Sequence, residues 1–191
     1  MSDTSTQAGG TQAGDEPVAM MDFFMHLEYH EVVAPNFRRY GEALMNEKII
    51  GGKCPGACGL IYVPPRSFCP IDVVAMTEAN DVELAQTGTV TNYTVVAPVQ
   101  YYGQEETEPF VRASITLDAP GGSLMLQDIL DTPVDQVRSG MRVQAVWLEK
   151  EQRTIEEIDN RAGRGAPGLI RGWKSTGEPD VPEGQYHDEG F

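Results

Sequence analysis

From Phe110 to Asp118 polar and apolar positions alternate with a period of two, with Val111, Ala113, Ile115 and Leu117 on one side and Phe110, Arg112, Ser114 and Thr116 on the other. Successive side chains of an extended strand point to opposite faces, so this is the pattern of a strand with one buried face. Ala119-Pro120-Gly121-Gly122 then turns the chain into SLMLQD, the spacing of an antiparallel hairpin. Upstream, TGTVTNYTVV is rich in the β-branched and aromatic residues that pack on a pleated surface. Downstream, MRVQAVWLEKEQRTIEEI predicts two strands with a tight turn near Lys150; Met141, Val143, Ala145 and Trp147 share one face, and Trp147 reads as a core residue. Between these groups, Thr132 as cap, Pro133 at the first helical position, Asp135 and Gly140 predict a helix of a turn or two.

Toward the N-terminus the period changes. Met20, Phe24 and Leu27 fall at helical spacing, and beyond Pro35 so do Phe37, Tyr40 and Leu44, which predicts two short helices. Gly51-Gly52, Pro55-Gly56 and Pro64-Pro65 then punctuate the stretch to Asp72 so densely that only turns and very short strands fit. About five strands with a small helix between the third and fourth is the element order of an OB-fold barrel, whereas an immunoglobulin-like sandwich needs roughly seven. The fold class expected is therefore mainly β with N-terminal helices.

The punctuated stretch contains all three cysteines of the chain. Cys54-Pro55-Gly56-Ala57-Cys58-Gly59 makes one tight turn and Cys69-Pro70-Ile71-Asp72 a second, with room for a short hairpin between them. A structural zinc ion takes four tetrahedral ligands, and thiolates presented from two turns supply that geometry with little strain. Asp72 stands where a fourth thiolate would stand, so the ligand set read from the residues is Cys54, Cys58, Cys69 and Asp72. Water or a histidine can also complete a tetrahedron, and so can a reduced cluster without metal simply pack. His26 and His30 are four apart on the first predicted helix, but Glu28 is not placed as in the H-E-x-x-H pattern of zinc proteases.

Charge narrows the partners. The chain has 191 residues with an ordinary 40% hydrophobic content, and its 29 acidic residues against 14 basic ones give a net charge of −15. Such a surface repels a phosphate backbone, which argues against general nucleic-acid binding. No apolar run approaches the ~20 residues that span a bilayer, and the first residues have neither a basic nor an apolar leader segment, so a cytoplasmic place is expected. A reducing compartment also suits three clustered cysteines better than a disulfide framework does.

The run KCPGACGLIYVPPRSFCPID, followed by TGTVTNYTVV, EPFVRASITLDAPGGSLM and SGMRVQAVWLE, resembles the thiolase-associated family that joins a rubredoxin-like zinc ribbon to an OB-fold, over about residues 35 to 158. The Pro64-Pro65-Arg66 step between the cysteine turns is its most telling piece; the three-residue gap between Cys54 and Cys58, where two is usual, and Asp72 in place of cysteine are departures. The residues and the resemblance together divide the chain into a disordered tail (1–18), N-terminal helices (19–50), a zinc ribbon (51–80), an OB-fold (81–159) and an extended C-terminal arm (160–191), of which the tail and the arm are read from composition alone. The resemblance implies a non-catalytic subunit in a hetero-oligomer with a thiolase-like enzyme, bordering the coenzyme A site of that partner. Members accompany thiolases acting on acetoacetyl-CoA, on sterol side chains and on benzoylsuccinyl-CoA in anaerobic toluene breakdown, and the likeness is greatest to the last. The cysteines agree with an accessory role, because a thiolase needs catalytic cysteines and here each is taken by the ribbon.

After the last predicted strand, residues 160 to 176 carry Arg161, Arg164, Arg171 and Lys174 with no acidic residue. Glycine and proline make an extended arm the expectation, with Leu169, Ile170 and Trp173 anchoring it on a partner and the four cations meeting an acidic surface or the phosphates of coenzyme A. A solvated linker with incidental charges is the plain alternative. Arg66 is a candidate pin between ribbon and barrel, and Tyr101-Tyr102 a candidate partner contact. Two other functions compete. A nucleic-acid module would need a basic groove with interleaved aromatics that the barrel region lacks, and a rubredoxin-like electron carrier would need four thiolates.

Overall fold

Pro35 opens the first helix, α1 (Pro35–Met45), at a position where its missing N–H costs no hydrogen bond. The computed structural model describes residues 33–98, 107–118, 121–154 and 169–186. The predicted tail, the helix through Met20, Phe24 and Leu27, His26, His30, Tyr101, Tyr102, Arg161 and Arg164 lie outside the described residues. In α1, Tyr40 and Leu44 are buried one turn apart, but Phe37, expected on the same face, is 56% exposed. The helix therefore docks by its C-terminal half.

Five short strands follow: β1 (Ile49–Lys53), β2 (Ile61–Tyr62), β3 (Phe68–Cys69), β4 (Val74–Ala75) and β5 (Asp81–Leu84). β1 is the centre of an antiparallel sheet in the order β2-β1-β5, while β3 and β4 form a separate two-stranded ribbon. Ile49 and Leu84 face each other in register and are buried in one core with Tyr40, Leu44 and the barrel beyond. Arg39 grips Asp81 with both arms of its guanidinium, at 2.7 and 3.3 Å, and fastens α1 to β5.

Then come β6 (Thr87–Val96), β7 (Phe110–Leu117), β8 (Ser123–Leu130), β9 (Arg142–Trp147) and β10 (Ile170–Ser175), which close into a barrel in the order β10-β8-β7-β6-β9. All pairings are antiparallel except that of β8 with β10. A five-stranded barrel with a parallel third–fifth pairing is an OB-fold. In β7 the predicted alternation holds at every position: Val111, Ala113, Ile115 and Leu117 are all at most 2% exposed. Arg142 of β9 lays its guanidinium across Asp118 at 2.6 and 2.7 Å, and this ties β9 to the end of β7.

Three expectations are corrected. The fifth barrel strand is not the continuation past Lys150, where Lys150–Gln152 is a 3-10 turn, but β10, in the segment expected to run as an arm. Leu169, Ile170 and Trp173 consequently anchor this chain's own barrel, each at most 1% exposed, and not a partner. Gly172, which reads as a breaker, is what lets β10 lie close: a Cβ there would meet Leu130 Cγ at 2.7 Å and Asp128 O at 2.8 Å. Second, residues 132–140 form turns and no helix. Val137 dives into the core, Ser139 donates to Thr91 O and the Gly140 N–H donates to Val90 O at 2.7 Å, so the backbone is pinned to β6 and cannot wind. Third, Trp147 joins the core only in part: it packs against it half-buried and donates to Gln86 at 2.9 Å, while the fully buried indole is that of Trp173.

Trp173 donates its indole N–H to the buried Gln127 carbonyl oxygen at 2.9 Å. Replacing Trp173 by Phe takes that donor away from a buried acceptor, and urea unfolding is expected to show a loss of about 1–3 kcal/mol. Arg171→Ala on the exposed side of the same strand is expected to change stability by less than about 0.5 kcal/mol. Equal, negligible effects would mean that this segment does not close the barrel.

Candidate metal centre

β1 ends at Lys53, and its next residue begins the first cysteine turn, held by the Cys54 N–H to Leu60 O bond at 2.8 Å. β3 carries Cys69 and β4 starts at Val74, so the second turn hangs from the two-stranded ribbon. The two turns meet. One donor atom from each of Cys54, Cys58, Cys69 and Asp72 lies within 4.8 Å of every other, and this is the one such cluster among the described residues. Cys54 and Cys69 are buried, Cys58 and Asp72 half-buried. Gly56 makes the approach possible: a Cβ on it would stand 2.5 Å from Asp72 Oδ2 and 2.8 Å from Asp72 Cβ.

The distances suit a tetrahedral ion. Zinc–sulfur bonds of about 2.3 Å put two sulfurs about 3.8 Å apart on a tetrahedron edge. Here Cys58 Sγ and Cys69 Sγ are 3.6 Å apart, and Cys54 Sγ is 3.1 Å from Asp72 Oδ2. Backbone donors already face the ligand atoms: Gly56 N–H points to Cys54 Sγ at 3.3 Å, Asp72 N–H to Cys69 Sγ at 3.5 Å and Cys58 N–H to Asp72 Oδ2 at 2.8 Å. Three soft sulfurs and one carboxylate oxygen, ringed by donors that offset negative charge, form a set that can hold zinc.

Proton affinities differ sharply within the cluster. Burial pushes the Cys54 thiol up to about 12, against the smaller opposing pull of the Gly56 amide. Cys58 is raised as well, chiefly by its hydrogen bond to Asp72, and that bond holds the Asp72 carboxyl below its usual range. At Cys69 burial works against ionisation, yet hydrogen bonds from the Asp72 amide, the Tyr62 hydroxyl, the Cys54 thiol and the Ile71 amide together outweigh it and bring the thiol down to about 6. A metal ion entering the cluster must displace protons from Cys54 and Cys58, while Cys69 is ready near neutral pH.

Tyr62 escaped the sequence reading. Its hydroxyl lies 3.2 Å from Cys69 Sγ, and Arg66 stacks over its ring at 4.9 Å from the centroid. Arg66 thus contacts a residue of the cysteine unit itself. The available signal was alternation in β2, with Ile61 packing on the barrel core and Tyr62 on the cysteine core. Of the four cations proposed for coenzyme A, Arg171 and Lys174 both point outward from β10. Among the described residues, no helix is long and apolar enough to cross a membrane.

With this geometry in hand, comparison with known proteins locates the barrel. Among curated proteins none matches. A solved structure described as an Ltp2–ChsH2(DUF35) aldolase is similar at 22% identity, covering 76% of this chain and 98% of that one, with a TM-score of 0.52, a likeness of fold. A protein of unknown function from the DUF35 family of Sulfolobus solfataricus aligns at 28% identity over 59% of this chain and 78% of that one, with a TM-score of 0.46. Residues 81–148 match the family described as the ChsH2 C-terminal OB-fold domain.

Proposed function

We propose that the chain binds one structural zinc ion through Cys54, Cys58, Cys69 and Asp72, completing a zinc ribbon, and serves as a non-catalytic accessory subunit of a thiolase-type acyl-CoA enzyme. The observation that carries this reading is the convergence of every cysteine of the chain on one cluster with Asp72. Thiolytic chemistry needs a free cysteine nucleophile beside a base. None is left outside the cluster, so the bond-making groups belong to the partner. The matched ChsH2 barrel, and a similar solved structure in which ChsH2 is assembled with Ltp2 as an aldolase, support a hetero-oligomer. Carbon–carbon cleavage of an acyl-CoA is the chemistry proposed for the pair, and benzoylsuccinyl-CoA is the specific substrate proposed for the partner. Arg171 and Lys174 on the outer face of β10, with Arg161 and Arg164 just upstream in the chain, are the proposed contact to coenzyme A phosphates.

Zinc in such a site holds two turns together; this chain's residues supply the ligands, the amide donors and the burial. Asp72→Ala is expected to lower zinc retention against a chelator by at least tenfold, and Asp72→Cys to keep or strengthen it. Zinc content measured by elemental analysis that is indifferent to both changes would place the fourth ligand elsewhere.

Affinity purification from the native source is expected to recover a catalytic subunit with an active-site cysteine, and the pair together, but neither alone, to cleave an acyl-CoA. Trying benzoylsuccinyl-CoA beside simpler acyl-CoAs checks the specific assignment. A chain that travels with no protein partner overturns the accessory role.

A further inference from the structure

We propose that Tyr62 is a positioning residue of the metal centre: its hydroxyl donates a hydrogen bond to the metal-bound Cys69 thiolate, and Arg66, stacked on its ring, strengthens that donation. The inference rests on the zinc reading above and extends it beyond the four ligands. A thiolate bound to a cation has no proton to give. Of the two atoms 3.2 Å apart, only the phenol can then be the donor.

The phenol is held in place by the strand that carries it. Tyr62 sits opposite Gly52 in the β1–β2 pairing, and its half-buried ring packs with Cys54, Cys69 and Met76. Its distance to the sulfur is shorter than that of the Asp72 amide, at 3.5 Å, and the Ile71 amide also faces Cys69. Cys54 and Asp72 receive backbone amides instead. Three thiolates and a carboxylate around one divalent cation leave an excess of negative charge, so each donor aimed at a ligand atom stabilises the assembly. Arg66 lies over the ring face at 4.9 Å with its side chain exposed. A cation on that face draws electron density from the phenol, which makes the hydroxyl a better donor, and adds positive charge beside the cluster.

The test uses the full chain purified with zinc, in wild-type form and as Tyr62→Phe, Arg66→Gln and the double variant. Zinc release to a chelating dye is timed, and the sulfur-to-metal charge-transfer band is recorded after exchange with cobalt. Tyr62→Phe is expected to release zinc about tenfold faster and to move the charge-transfer band to lower energy, since the sulfur becomes more electron-rich. Arg66→Gln is expected to speed release about two- to fivefold, and the double variant to behave as Tyr62→Phe alone, because Arg66 acts through the phenol. Wild-type release rate with an unmoved band in Tyr62→Phe overturns the proposal, and additive effects overturn the part assigned to Arg66. Should Tyr62→Phe take up no metal at all, Arg66→Gln, which keeps the hydroxyl, decides: an unchanged rate and band count against the proposal. A wild-type protein without bound zinc defeats the metal reading itself, a result separate from all of these.

Discussion

Between Lys53 and Met76 only Cys54, Pro65, Cys69 and Met76 are buried, and this shortage of core governs the structure around it. Ordering a residue's backbone costs about 1–2 kcal/mol. A buried side chain of moderate size returns about 1.5–3 kcal/mol. Four such groups cannot hold more than twenty residues that contain just two-residue strands, so the turns need a stronger tie. The convergence of Cys54, Cys58, Cys69 and Asp72 provides it, with Gly56, Cys58, Asp72 and Tyr62 directing hydrogen bonds at the ligand atoms of Cys54, Cys69 and Asp72. Each part of the segment, from Gly56 lacking a Cβ to the hairpin β3–β4, makes sense as a way to bring those atoms together.

The cluster is joined to a second core by the period of the strand itself. In β2, Ile61 leans on the barrel core and Tyr62 on the cysteine core. β1 pairs with β2 on one side and with β5 on the other, and β5 is gripped through Asp81 by Arg39 of α1. The result is a scaffold whose cysteines all lie together in one cluster with Asp72. That arrangement suits a subunit that shapes and supports an active site which another chain supplies.

Much of this was legible in the residues and some was not, for physical reasons. The buried face of β7 showed as strict alternation because one side of that strand meets the core and the other meets solvent. The convergence of the three cysteines with Asp72 showed because their spacing and the turn residues between them are local features. β10 did not show. One of its partners, β8, runs parallel, and the other, β9, ends too far upstream for a tight hairpin turn to announce the pairing; Gly172 serves a close approach and not a turn; and Arg171 and Lys174 gave the segment the look of a solvated arm. The helix expected at 132–140 had the right caps, but burying Val137 and pairing Gly140 with Val90 outweighed local preference. Tyr62 was missed because its role depends on a sulfur seven positions away that folding brings to its hydroxyl.

The most direct measurement is amide hydrogen exchange on the zinc-loaded protein before and after chelation. If the cluster is the tie, removing metal abolishes protection across β3, β4 and the two cysteine turns, while β1 and β5 to β10 keep theirs because they share the main apolar core. Protection that is unchanged in the cysteine unit after the metal is gone would contradict the account.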